Sequence, residues 1–145
     1  MKLKNYKTYF NKLLKYADMC GVKVYHDKLE DSDGEYNPNN RSISLLSNGG
    51  EALEIAVFLH ELGHFYDQML DPKFNFSKTL NDAYKKISEE KKLTAKQRVA
   101  ILKCENNAWL HGEAIANKLG IKLGKWFYSE KDRSMKIYEE LSLGR

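Results

Sequence analysis

Apolar positions recur along this chain with two different periods, and the switch between them separates an early region with strands from a later region of helices. In residues 3–19, Tyr6, Tyr9, Phe10, Leu13, Leu14 and Ala17 follow helical spacing, and Gly21 is placed to close that helix in the left-handed conformation. Val22-Lys23-Val24-Tyr25 then alternates, which predicts a short strand. Gly34-Glu35-Tyr36, the turn-rich Asn37-Pro38-Asn39-Asn40 and the run Arg41–Leu46 together predict a hairpin. A loop at Ser47-Asn48-Gly49-Gly50 leads into a long helix from about Glu51 to Leu70. Asp71-Pro72 stops that helix, because a residue preceding proline avoids helical angles. Ser77 can cap a third helix to about Lys91, and Thr94 a fourth to about Leu119, which Gly120 closes. A last helix is predicted around Arg133–Leu141. The expected fold class is α+β, with a short antiparallel sheet or hairpin preceding the helices.

The helix from Glu51 is apolar nearly all round and therefore belongs in the interior. Phe58, Leu62, Phe65 and Met69 share one side of it; His60, His64 and Asp67 share the other with Leu53 and Val57. Polar side chains in such a setting need polar company.

Bulk properties narrow the context. With 145 residues, 42% of them apolar and 30% charged, the chain reads as a single domain over 1–145 with a proper core. A net charge of +4, with no block of like charges, does not suggest a nucleic-acid partner. No apolar run reaches membrane-spanning length, and no apolar stretch follows the charged N-terminus as in a signal peptide. The two cysteines, Cys20 and Cys104, form neither a disulfide framework nor a metal knuckle, so a cytoplasmic location is expected.

The chemistry concentrates in His60-Glu61-Leu62-Gly63-His64. Histidines four apart on a helix lie one turn above each other, so both imidazoles can face one ion. Glu61 projects at a neighbouring angle, from which it can take a proton from a water at that ion. The other use of such a helix is structural, with both histidines satisfied by hydrogen bonds. A catalytic zinc usually takes three protein ligands and keeps a position for water. On the fourth helix, Ile101, Leu102, Ala108, Trp109, Gly112, Ala116 and Leu119 cluster about one direction, with Glu105 at its centre. A carboxylate there is costly unless bound or paired. Glu105 is therefore the favoured third ligand; a buried salt bridge to Arg98 is its other reading. Glu113 lies at the flank of this arc, and His111 points away from it. The small residues Ala108, Gly112 and Ala116 would let the two helices approach closely. Asp67 is read either as the partner that holds a ligand histidine from behind or as an ordinary helix-terminal acid.

These motifs resemble the zincin metallopeptidases whose third ligand is glutamate, most of all the ImmA/IrrE-like branch of bacteria and phages. There the histidine motif is His-Glu-hydrophobic-Gly-His, and an alanine follows the later glutamate by three residues, as Ala108 follows Glu105. The resemblance implies a Zn2+ ion on His60, His64 and Glu105, with Glu61 as the base. It also implies that Ser42, Ile43, Ser44 and Leu45 form an edge strand that pairs with a protein or peptide substrate. Relatives in this branch cleave regulatory proteins such as repressors. Zincins also use a tyrosine or histidine for the oxyanion, and Tyr66 and Tyr128 are the nearest candidates here. The chain departs from the pattern in the longer interval between His64 and Glu105, which holds an extra helix near Ser77–Lys91, and in lacking a recognisable helix-turn-helix. The competing reading is a zinc-binding regulatory or interaction domain without catalysis.

Overall fold

The computed structural model describes residues 2–26, 34–45 and 50–144. Helix α1 (Tyr6–Met19) buries Tyr9, Leu13 and Ala17, one stripe at four-residue spacing. Gly21, at φ 73°, turns the chain, and the Val22 amide donates back to the Ala17 carbonyl at 2.8 Å. Three short strands follow, β1 (Lys23–His26), β2 (Gly34–Asn37) and β3 (Ser42–Leu45). The remainder is helical: α2 (Glu51–Leu70), α3 (Pro72–Asn75), α4 (Lys78–Ser88), α5 (Ala95–Leu119) and α6 (Lys125–Leu141). The fold is a small α+β domain, and no helix among the described residues is long and apolar enough to cross a membrane.

Three features differ from the sequence reading. The sheet is mixed, with strand order β1-β3-β2: β2 and β3 form the expected antiparallel hairpin, and β1 runs parallel to β3. Ser42, Ile43, Ser44 and Leu45 are consequently in the middle of the sheet, and both ladders of that strand are taken. Each of the four has a partner on both sides; Ile43, for example, faces Val24 on one and Tyr36 on the other. An alternating four-residue pattern is the same for an inner and an edge strand, which is why the sequence did not separate them. Second, α6 begins two turns before Arg133, because Phe127 in its first turn is fully buried and anchors it edge-on against Trp109. Third, Asp71 and Pro72 end α2 as expected but also start α3: Asp71 accepts from the Phe74 amide, and Pro72 takes the first helical position.

The helix ends on either side of the site follow local rules. Ser77 caps α4 by accepting from the Leu80 amide, and Thr94 forms a reciprocal capping box with Gln97 at the start of α5. Gly120, at φ 72°, ends α5.

The main core joins α1, the sheet, α2, α5 and α6 through Leu13, Ile43, Leu45, Ile55, Phe58, Leu62, Trp109 and Phe127. A smaller core seats α4 on α5 through Leu80, Ala83, Leu93, Ala100, Ile101 and Cys104. The most extensive helix contact is between α2 and α5. A Cβ on Gly63 would stand 1.8 Å from the Ala108 carbonyl oxygen, and one on Gly112 would stand 2.8 Å from that of Leu59. The backbones therefore touch, as the small residues of α5 suggested.

A methyl group at position 63 has no soft neighbour to displace. Gly63→Ala should cost about 3 kcal/mol, at the upper end of ordinary overpacking. Met69→Ala, at an exposed position of the same helix, should stay within about 0.5 kcal/mol. Chemical denaturation of the two variants beside the wild type checks both values.

Candidate metal centre

Helix α2 carries His60 and His64 one turn apart, with ring centroids separated by 4.6 Å. The close crossing with α5 brings Glu105 directly against them. His60 Nε2 lies 3.2 Å from Glu105 Oε1, and His64 Nε2 lies 3.2 Å from Glu105 Oε2. One ligand atom from each of the three residues falls within 4.8 Å of the others. Glu105 is only 1% exposed.

Donors about 2.0–2.1 Å from a tetrahedral ion are about 3.3 Å apart, close to the spacing seen here. His60 Nε2 and Glu105 Oε1 are both shut away from solvent without a hydrogen-bond partner. Buried polar atoms normally have one. An ion between them would satisfy both at once, so the three residues fit a divalent metal of nitrogen and oxygen preference.

Charge in this cluster is strongly coupled. Burial opposes protonation of His60, but the carboxylates of Glu61 and Glu105 outweigh it and lift the imidazole above the usual histidine value. His64 is likewise opposed by burial and lifted well above that value, chiefly by Glu105. Burial alone would raise Glu105, yet the two imidazoles, His64 foremost, hold its carboxyl below the ordinary range. Without metal, the cluster is a carboxylate held between two imidazoles.

Each of the three residues has its own support. The Trp109 ring stacks on His60 at 4.3 Å between centroids, with the planes only 15° apart. Cys104 Sγ lies 3.9 Å from His64 Nδ1 and donates to Asn75 Oδ1 at 3.7 Å. Tyr84, on α4, donates to Glu105 Oε2 at 2.5 Å. Glu61 is buried beside the pair, its Oε2 3.2 Å from His60 Nδ1.

A cleft of about 600 Å³ opens over the cluster. Its walls are Gly34, Glu35, Tyr36 and Pro38 on the sheet side, and Phe76, Leu80, Tyr84 and Tyr138 on the helical side. His60, Glu61, His64 and Glu105 form its floor. Ser42, Ile43, Ser44 and Leu45 do not line it; β2 stands between them and the opening.

Asp67 does not hold a ligand histidine. Its Oδ1 pairs with His111 Nε2 at 3.0 Å, and its Oδ2 accepts from Asn75 Nδ2 at 3.1 Å, so both oxygens are engaged away from His60 and His64. His111 thereby ties α5 to the end of α2 and lies outside the His60–His64–Glu105 group. Glu113 accepts from Tyr128, and Glu105 makes no ion pair with Arg98 among the described residues. Tyr66 packs on His111, so neither Tyr66 nor Tyr128 reaches the cleft. Outside this region, His26 pairs with Glu54 at 3.0 Å, while its acidic neighbours Asp27, Glu30, Asp31 and Asp33 fall outside the described residues.

Sequence reasoning missed Tyr84, Tyr138 and the support from Cys104 and Trp109. A signal for Tyr84 was present: it follows the buried Leu80 by one turn and so faces inward. No protein-family model, curated protein or solved structure matches this chain.

Elemental analysis should find metal in the wild type and in His111→Ala but none in Glu105→Ala; the reverse pattern would transfer the ligand role to His111. The protonation pattern also fixes a pH response. Raised histidines stabilise the metal-free fold fully below about pH 6.5 and lose that effect as pH climbs through their raised values. A lowered Glu105 stabilises above about pH 4.3 and loses its effect as pH falls toward its own value. The metal-free melting temperature should therefore decline from pH 6 toward alkaline pH. The increment from added metal should grow over the same interval, since the ligands must shed protons to bind. Thermal melts with and without metal across that interval check this.

Proposed function

We propose that this chain is a zinc-dependent metallopeptidase that hydrolyses a peptide bond in an extended segment of a protein substrate. The observation that carries the reading is Glu61, a buried carboxylate beside the two histidines and on the floor of an open cleft. Two imidazoles and a carboxylate also make up ferrous sites. A glutamate adjoining the first histidine favours hydrolysis, because it supplies a base where a water would be activated. The resemblance of His60–His64 and of Glu105 with Ala108 to the ImmA/IrrE-like zincins supports the same choice.

Bound at His60, His64 and Glu105, zinc would polarise a carbonyl and lower the pKa of a coordinated water from about 16 to about 7. Glu61 then accepts the proton of the attacking water and returns it to the leaving amine. Tyr138 is the better oxyanion donor than Tyr66 or Tyr128: it lines the cleft, and its hydroxyl has no hydrogen-bond partner among the described residues. Burial, reinforced by the charges of Glu105 and Glu61, holds its phenol well above the usual value, so the proton stays on. Substrate would lie along β2, an edge strand of the described sheet whose Glu35 and Tyr36 border the cleft. A peptide in extended form can add to such an edge through its main chain. Regulatory proteins are the substrate class that the resemblance suggests.

The competing reading keeps the metal and drops the catalysis. One assay separates them: turnover of unstructured protein substrates by zinc-loaded wild type, Glu61→Gln and Tyr138→Phe. Glu61→Gln should retain stoichiometric zinc and lose about 10²–10⁴-fold in kcat. Tyr138→Phe should lose about 10²-fold with KM little changed. Zinc without turnover in the wild type favours a binding module, and full activity in Glu61→Gln removes the base assignment.

A further inference from the structure

The two oxygens of Glu105 are not equivalent. Oε1 faces His60 Nε2 without a hydrogen bond and is sealed from solvent. Oε2 accepts the Tyr84 hydroxyl proton while lying 3.2 Å from His64 Nε2. We infer that Tyr84 is a positioning residue that favours Glu105 as a one-oxygen ligand: the phenol engages one lone pair of Oε2 and leaves Oε1 the stronger donor to a metal.

Tyr84 has a single hydroxyl proton, and the carboxylate is its nearest acceptor. Its other polar neighbour, Cys104 Sγ, is farther away at 3.3 Å and is the weaker acceptor. A hydrogen bond to an ionised carboxylate is among the stronger kinds, and this one is partly buried. With one lone pair engaged, Oε2 is the weaker donor to an ion, and the bond holds the carboxylate in the orientation that presents Oε1. Bidentate binding would fill a further coordination position, whereas one-oxygen binding keeps that position open.

Tyr84 is also rigidly presented. Leu80 and Ala83 seat its helix in the smaller core, and the Tyr138 ring meets it edge-on at 6.4 Å. Lys86 donates to Gln97 at 2.9 Å, and so fastens α4 to the start of α5. The helix between the two ligand-bearing segments therefore has a task beyond spanning them: it delivers the group that orients the third ligand. Groups behind metal ligands commonly change affinity by about 10–100-fold when removed.

This inference rests on the metal reading of the site, and the test keeps the two apart. Full-length wild type and Tyr84→Phe are titrated with Co2+, following the visible absorption of the bound ion, and with Zn2+ by chelator competition. The wild type should show the intense bands of four-coordinate cobalt. Tyr84→Phe should bind about 10–100-fold more weakly, with weaker bands as Glu105 turns bidentate. Circular dichroism and the metal-free melting temperature show whether the variant is folded. If it is not, X-ray absorption of the zinc-loaded wild type decides instead, because it reports the coordination number directly. Wild-type affinity and spectrum in a folded Tyr84→Phe, or a bidentate carboxylate in the wild type, overturns the role of Tyr84 alone. Failure of the wild type to bind either ion overturns the metal centre with it.

Discussion

Where α2 crosses α5, the backbones meet with no side chain between them, Gly63 against Ala108 and Gly112 against Leu59. That contact sets the distance between the helix bearing both histidines and the helix bearing the glutamate. A wider crossing would leave Glu105 beyond reach of His60 and His64. Gly63 is itself inside the histidine motif, so the residue that permits the approach and the residues that exploit it share a single turn of helix. Interiors this tightly packed move as units and do not deform smoothly, which makes the geometry of the cluster a property of the whole crossing.

The approach carries an electrostatic cost. A carboxylate 1% exposed on the apolar face of α5 has lost its water, and three neighbours replace it: two imidazoles and the Tyr84 phenol. Removing one partner from such an arrangement leaves a stranded charge, which is worse than never having buried it. The remaining polar groups extend the network outward. Cys104 links His64 to Asn75, Asn75 links on to Asp67, and Asp67 reaches the partly exposed His111. Polar side chains behind the site thus form a connected chain, while His60 Nε2 and Glu105 Oε1 at its centre are left without hydrogen-bond partners.

Much of this was legible beforehand because it depended on periodicity and local chemistry. Gly21, Gly120, Ser77 and Thr94 mark helix ends by rules that need no knowledge of the rest of the chain. Glu105 stood out because a helical wheel centred a charge among Ile101, Ala108 and Gly112. What escaped required knowing which elements become neighbours. Asp67 pairs with His111 from another helix, a partner that the pattern along α2 cannot name. His111 points toward Asp67 and away from the His60–His64–Glu105 group. The inner position of Ser42–Leu45 followed from a parallel pairing with β1 that four alternating residues cannot announce. Early entry into α6 depended on Phe127 finding Trp109, a contact visible only once both helices are in place.

Trp109 has a consequence of its own. Its indole is 1% exposed and stacked face to face on His60, while the other tryptophan, Trp126, is half-buried outside the cluster. An aromatic face responds to a cation resting on it. Any change of charge at His60 therefore alters the surroundings of a natural fluorophore stacked on it. The fold carries its own gauge of that charge, and no label has to be attached to read it.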